Sequence, residues 1–465
     1  MSRTTKIVLA LTFAFLFRLG FGLAQPFWPE DQLQSYLIGL KSYTTNTWPY
    51  FGADLAGAET SHFNQIPGAL EGLAIGLPFR VFPIPEAPFI LQILFSTVAI
   101  ALLTWYCAKR VPNLSPWFIF FTLVLLPWPL HESTQMISRA WCLFGSVIFF
   151  IGFFESLPNY RLGVVSPNLS QALMGFGLFW LAQFHMSWMY LAAFFALSIL
   201  IQWLKSKSFP FRQILFFALG SIPMFLLIVP TLLKYGIPGG HSEGFITLFN
   251  LNNFKQFFTI LARWLSFSCY ETPYFLDPPG SPGFSDWGAA ASPHWDTPSF
   301  LRWCIGGSTH NRVEFLMGSP FLLIPGLFLW IFGIAQAIYL LVVWFFRKHD
   351  LPDWPIVRNL AVFNLFIVWV SFWFTVKWPL AHIYYDSTFP MVFLLSLYGW
   401  SRLAQYPFWR TFAKVTLIAA LIFQTTYAVR TWKAYSLYTD RPRIVKAIQE
   451  KNYQFVGERR PLAYY

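Results

Sequence analysis

Glu30 and Asp31 stand side by side in Phe27-Trp28-Pro29-Glu30-Asp31-Gln32, just past the first long hydrophobic run of the chain. Proline suits the first turn of a helix, so both carboxylates fall near a helix N-terminus, where the backbone dipole favours the ionised form. An ionised carboxylate at the water–lipid boundary is a usable general base. It can take the proton of an acceptor hydroxyl while an anionic leaving group departs from the other side of a sugar carbon. The competing explanation is a solvated acidic first turn, and spacing alone favours it.

Charged residues are 11% of the 465, against about 25% in a soluble domain, so the placement of each is informative. Arg139, Lys377 and His382 sit at the ends of hydrophobic runs and are suited to a phosphate on which negative charge develops. Arg139 lies several residues inside an apolar run, a costly position unless it is paired, with Glu132 seven residues earlier or with a substrate anion. Lys377 serves equally as a side chain that snorkels to lipid headgroups. His131, Glu132 and His185 could support such a site, although a structural histidine is the simpler reading of His185. Glu59 and His62, three apart, could share a helix face and hold a divalent metal, but no Asp-x-Asp occurs in the first loop.

The elements that would position these residues are membrane helices. The chain is 56% hydrophobic and 21% aromatic, with a mean hydropathy of +0.50 and several uncharged apolar runs of about 20 residues, which predicts an all-α polytopic transmembrane helical bundle. The net charge of +12 follows from Lys and Arg in cytoplasmic loops. No stretch combines a basic run with the polar composition of a nucleic-acid-binding arm, so nucleic acid is not an expected partner. Arg3 and Lys6 precede residues 7–24, and Gly22-Leu23-Ala24 imitates a signal-peptide cleavage site. Arg18 interrupts that run, however, and many spans follow, so the first helix is expected to be retained. Four cysteines are too few for a disulfide scaffold. Cys107 and Cys142 read as packing residues, and Cys269 and Cys304 share one long loop.

Twelve hydrophobic runs fall near residues 5–24, 64–82, 86–108, 114–130, 136–155, 168–184, 187–204, 212–233, 318–346, 356–376, 387–401 and 411–429. If all crossed, Lys109-Arg110 and the cluster Lys205, Lys207 and Arg212 would lie outside, against the positive-inside rule. The weakest run is 64–82, with Glu71, three glycines and Pro78, and it reads as a juxtamembrane or re-entrant helix. Removing it leaves about 11 spans and places Lys109, Arg110, Arg161, Lys205, Lys207, Arg212, Arg347, Lys348, Arg358, Arg402 and Arg410 on the cytoplasmic side. Residues 1–429 then form the transmembrane catalytic domain, with external loops at 25–63 and 234–317. Seven of the eight histidines gather on the external face. Residues 31–44 and 250–267 read as amphipathic helices lying on the membrane. The Pro- and Gly-rich stretch 272–298 is a substrate lid or a disordered connection. The basic C-terminal tail, 430–465, falls outside, which the charge rule does not explain without a missed crossing or a genuinely external tail.

Several of these segments share a resemblance. Trp28-Pro29-Glu30-Asp31-Gln32, Tyr36, Tyr50-Phe51-Gly52 and Ile66-Pro67-Gly68-Ala69-Leu70 look like the first external loop of the GT-C superfamily of integral membrane glycosyltransferases. The pattern is similar to the protein O-mannosyltransferases and the lipid A aminoarabinose transferase. Pro127-Trp128-Pro129-Leu130-His131-Glu132, Ala182-Gln183-Phe184-His185 and Lys377-Trp378-Pro379-Leu380-Ala381-His382 extend it. The resemblance implies a polyprenyl-phosphate-linked sugar donor, a lipid, glycan or protein acceptor, and a catalytic carboxylate in the acidic pair. It further implies a divalent metal in some members. Two departures stand out: Glu30 precedes Asp31 where the family order is Asp then Glu, and Gln65-Ile66 replaces a basic residue before the proline.

Two other classes remain as alternatives. A polytopic transporter would show paired repeats and ionisable groups at the bilayer midplane, and neither is clear here. An O-antigen ligase or polymerase-like enzyme would use a large late external loop, a role open to residues 234–317. The charge pattern favours a multi-pass protein of a bacterial inner membrane with its active site outside the cytoplasm.

Overall fold

The structure is a computed structural model that describes residues 2–25, 30–54, 65–236, 256–267, 269, 320–346, 353–374 and 386–457. Among the described residues the regular elements are helices, as an all-α bundle implies, together with one pair of short antiparallel strands, β1 (Phe51–Asp54) and β2 (Gln65–Pro67). Two compact units emerge. The first comprises Met1–Leu102, Ser133–Glu243 and Tyr435–Tyr465, and the second Leu103–Glu132 and Gly244–Ala434.

Among the described residues, seven helices are long and apolar enough to cross a membrane, or eight if one bent pair is a single span. The expected count of about 11 spans is not confirmed, because several of the hydrophobic runs form helices shorter than a crossing. A crossing needs about 30 Å, or about 20 helical residues. Residues 114–130 break into α5 (Pro116–Leu125) and α6 (Pro127–Glu132), and the run 168–184 forms a 16-residue helix, α8 (Pro167–Ala182). The run 64–82 forms α3 (Leu70–Val81), whose 12 residues span only about 18 Å. The run 212–233 divides into α10 (Phe211–Phe225) and α11 (Val229–Tyr235), which meet at 70°.

The first unit is built from α1 (Arg3–Ala24), α2 (Glu30–Thr45), α3, most of α4 (Ala87–Arg110), α7 (Cys142–Ser156), α8, α9 (Trp188–Ser206), α10, α11 and the strand pair. Its packing uses small residues, as expected where lipid removes the hydrophobic drive between helices. A Cβ on Gly175 of α8 would stand 2.0 Å from the Phe217 carbonyl oxygen of α10, and one on Gly177 would stand 2.5 Å from the Gly145 oxygen of α7. Gly22 reaches the Thr134 carbonyl oxygen in the same way, at 2.7 Å. The Gly22-Leu23-Ala24 pattern therefore has a packing role. The strand pair is held by Glu71, whose Oε2 accepts from the Ala53 amide at 2.8 Å, and by Thr231, which donates to the Tyr50 oxygen at 2.6 Å. Gly68 turns the chain out of β2 with φ +126°, where a side chain would be strained.

α2 matches the expected limits but not the expected setting. All residues from Gln32 to Leu40 are buried, the polar Gln32, Gln34 and Ser35 among them. The helix is not laid on a lipid surface with one wet face, because α3, β1, the turn at 138–141 and a C-terminal helix, α17 (Leu437–Gln449), all pack against it.

The second unit contains α5, α6, α12 (Gln256–Ser266), α13 (Pro320–Phe346), α14 (Trp354–Phe374), α15 (Phe389–Leu403) and α16 (Pro407–Tyr435). α12, read from the sequence as a second surface helix, is packed against α13, α14 and α15, with Gln336 donating to the Leu265 oxygen at 2.8 Å. Arg110, buried at the end of α4, lies 3.5 Å from Asp353. Of the loop 234–317, residues 272–298 and Cys304 lie outside the described residues.

The contact of α2 with α3 is close enough to test. A Cβ on Gly39 would meet the Ile75 Cβ at 2.4 Å and the Gly76 nitrogen at 2.8 Å, whereas a Cβ on Gly20 would meet nothing within 4 Å. Gly39→Val should cost about 1–3 kcal/mol by overpacking and lower the unfolding temperature in detergent. Gly20→Val should change it little; equal effects would refute the close packing.

Candidate active site at the acidic helix

Glu30 and Asp31 are the first two residues of α2, as the reading of Pro29 as a helix-starting residue anticipates. Their backbone is therefore at the positive end of the helix dipole. Their side chains lie outside what is described, as do all of Glu59, His62, Lys377 and His382. Arg139, His185, His131 and Glu132 are described, and they divide between the units.

Arg139 belongs to a 3-10 turn, Ser138–Trp141, that precedes α7. This corrects the expectation that it lies inside a helical run and shares a face with Glu132 at i and i+7. α6 ends at Glu132, and residues 133–137 are non-helical, so no common helix relates the two. The turn packs against α2, which brings Arg139 and the acidic helix into one neighbourhood of the first unit.

Residues 133–141 are buried backbone outside regular helix, and such groups need internal partners. Polar side chains from the flanking spans reach into this stretch, Gln92 bonding its backbone and Arg18 and Gln25 its side-chain hydroxyls. Arg18 of α1 donates to the Ser133 hydroxyl and, at 3.5 Å, to Ser96 of α4. Gln92 of α4 donates to the Gln135 oxygen at 2.6 Å and to the Ser133 oxygen at 3.3 Å. Gln25 donates to the Thr134 hydroxyl at 2.5 Å. Gln135 in turn accepts from Arg139 at 3.2 Å. On its other side the turn is fixed to α8: Trp180 donates to the Trp141 oxygen at 2.9 Å, and Phe184 stacks on Trp141 at 5.7 Å with only 6° between the planes.

His185 follows directly in the turn after α8, where its Nδ1 accepts from the Ser187 amide at 3.2 Å. Burial, with the Arg139 charge adding to it, pushes its pKa down to about 3, so it is neutral at physiological pH. A neutral imidazole beside a guanidinium can accept or donate a hydrogen bond without adding a second cation. His131 and Glu132 are buried at the end of α6 in the second unit, where His131 Nε2 lies 3.1 Å from Gln424 Oε1 on α16.

The sequence reading missed the roles of Arg18, Gln92 and Glu71 as supports. Arg18 and Glu71 were visible as charges interrupting apolar runs; Gln92 carried no such signal. Among the described residues, no group of three or more His, Cys, Asp or Glu side chains stands together to hold a metal ion, and the suggested pair Glu59 and His62 lies outside them.

No family model and no curated protein matches this chain. Two solved structures are similar to it. The crystal structure of ArnT from Cupriavidus metallidurans bound to undecaprenyl phosphate is 10% identical, with 87% of this chain and 79% of that one covered and a TM-score of 0.43. The crystal structure of the Archaeoglobus fulgidus oligosaccharyltransferase in the apo form is 12% identical, with 92% and 56% covered and a TM-score of 0.39. At these values neither assigns a role to any residue here.

The buried neutral His185 has a consequence for acid stability. Unfolded, it titrates near 6.5; folded, near 3. Between these values the unfolded chain binds a proton that the folded one does not, so stability falls as pH falls through that window, by up to about 1.4 kcal/mol per unit. Unfolding of the detergent-solubilised protein followed from pH 7 to pH 4 should show a steeper decline for wild type than for His185→Gln. Parallel curves would place the histidine in a solvated setting.

Proposed function

We propose that this protein is an inverting membrane glycosyltransferase that moves one sugar from a polyprenyl-phosphate carrier to an acceptor outside the cytoplasm. The observation that carries the reading is the acidic pair at the first two positions of an enclosed juxtamembrane helix, directly after the first span and in the same neighbourhood as Arg139. The resemblance of the Trp28–Gln32, Tyr50–Gly52 and Ile66–Leu70 segments to the first external loop of GT-C enzymes supports it.

In this reading one of Glu30 and Asp31 takes the proton of the acceptor hydroxyl. The acceptor oxygen forms a bond to the anomeric carbon as the bond from that carbon to the phosphate oxygen breaks. Its electron pair leaves on the polyprenyl phosphate, and configuration inverts. A carboxylate is suited to the first part because the helix end favours its ionised form. Cations are suited to the last, because negative charge grows on the departing phosphate. Arg139 is the described candidate for that role, with Lys377 and His382 as candidates outside the described residues. A carrier dissolved in the bilayer and an acceptor approaching from water explain why such chemistry would sit at the end of a span. The distribution of basic loops supports a reading in which this face lies outside the cytoplasm, in a bacterial inner membrane.

Purified protein offered a panel of labelled polyprenyl-phosphate sugars tests the assignment. Loss of a general base lowers turnover by about 10²- to 10⁴-fold, so either Asp31→Asn or Glu30→Gln should do so while the other falls less. Full activity in both variants would overturn the role of the pair.

A further inference from the structure

The basic C-terminal segment, whose position the loop charges left unexplained, is built into the first unit against α2. Ser436 caps α17 by accepting from the Tyr438 amide at 3.3 Å, and Leu437, Ile444, Ala447 and Ile448 of this helix are buried. Arg441, Lys446 and Lys451 of this segment are exposed, yet each contacts a partner. Arg441 Nε is 2.7 Å from Glu86 Oε1, at the start of α4. Lys451 lies 3.5 Å from the centre of the Tyr43 ring on α2, and, reciprocally, Lys41 of α2 lies 5.6 Å from that of Tyr453. Lys446 covers Phe455 of the same segment at 4.1 Å. Charge in this tail therefore follows local partners.

We infer that residues 437–457 lie on the same membrane face as α2 and act as a clamp that holds α2 in place, with Arg441 and Lys451 as its positioning residues. Under the function proposed above, on which the catalytic part of this inference rests, the clamp fixes the helix that carries the base. A base displaced by about 1 Å loses much of its effect on turnover, while donor binding at other elements is little changed.

Single cysteines placed in a background lacking the four native ones test both parts. In intact cells a membrane-impermeant maleimide should label Thr47→Cys, after α2, and Glu450→Cys, in the tail, but should reach Ser208→Cys, between α9 and α10, only after permeabilisation. Labelling of Glu450→Cys together with Ser208→Cys would overturn the shared face. For the clamp, Gln34→Cys, buried in α2, should label about threefold faster or more when Arg441→Glu is added, in line with an exposed ion pair. Glu86→Arg should restore the slow rate. Turnover should fall in Arg441→Glu by a similar factor with the donor KM unchanged, and recover in the double variant. An unchanged labelling rate, or no recovery on charge exchange, would overturn the clamp. Labelling needs no sugar transfer, so a protein inactive on every donor removes the proposed function and leaves this inference to be decided by the labelling.

Discussion

Backbone that leaves a helix inside an apolar bundle has to find its hydrogen-bond partners without water, and residues 133–141 are such a stretch. Much of the first unit is arranged around that requirement. α1 and α4, otherwise apolar, carry Arg18, Gln25, Gln92 and Ser96 toward it. Gly22 lets α1 approach the Thr134 carbonyl closely enough for these side chains to reach. A buried guanidinium costs several kcal/mol unless it is well bonded, so Arg18 makes sense only with the irregular segment that it serves. The segment in turn ends in the 3-10 turn that presents Arg139 and packs on α2.

Enclosure of α2 follows from the same economy of polar groups. A helix with Gln32, Gln34 and Ser35 on one side and Leu33, Tyr36, Leu37 and Leu40 on the other could lie at the membrane surface. Here every one of these residues is buried, since α3 and the strand pair, the Arg139 turn and α17 all pack against the helix. A helix held by so many elements has little freedom to tilt or slide. That suits the role proposed for its first turn, to keep a carboxylate in register with a reacting carbon, where small displacements are costly.

The local pattern of the chain carried part of this fold and hid the rest. The limits of α2 were legible, because turn chemistry at Pro29 and a 3.6-residue apolar period mark them. So was the shortness of α3, because Glu71, Pro78 and the glycines weaken any spanning run. The break at 126–141 was only partly legible: the runs 114–130 and 136–155 stood apart, but the second was read as starting before the Ser138–Trp141 turn, and the bonds from Gln92 to the irregular backbone and from Arg18 to the Ser133 hydroxyl are tertiary. The covering of α2 was beyond local reasoning too, since Lys451 and Tyr453 lie some 400 residues from Tyr43 and Lys41. Arg139, a candidate for the proposed site, stood out by its charge, but its helical pairing to Glu132 was misread. Arg18 was noticed only as an interruption of a span, although an ionisable residue there is by itself a signal of function or of structural need.

The central claim is a single displacement assisted by a carboxylate at the start of α2. The anomeric configuration of the transferred sugar tests it most directly, read by nuclear magnetic resonance on product made from a donor of known configuration. A direct displacement predicts the opposite configuration in the product. Retention would mean that the sugar passes through a second displacement, and would contradict the assignment of Glu30 or Asp31 as a base acting on the acceptor alone.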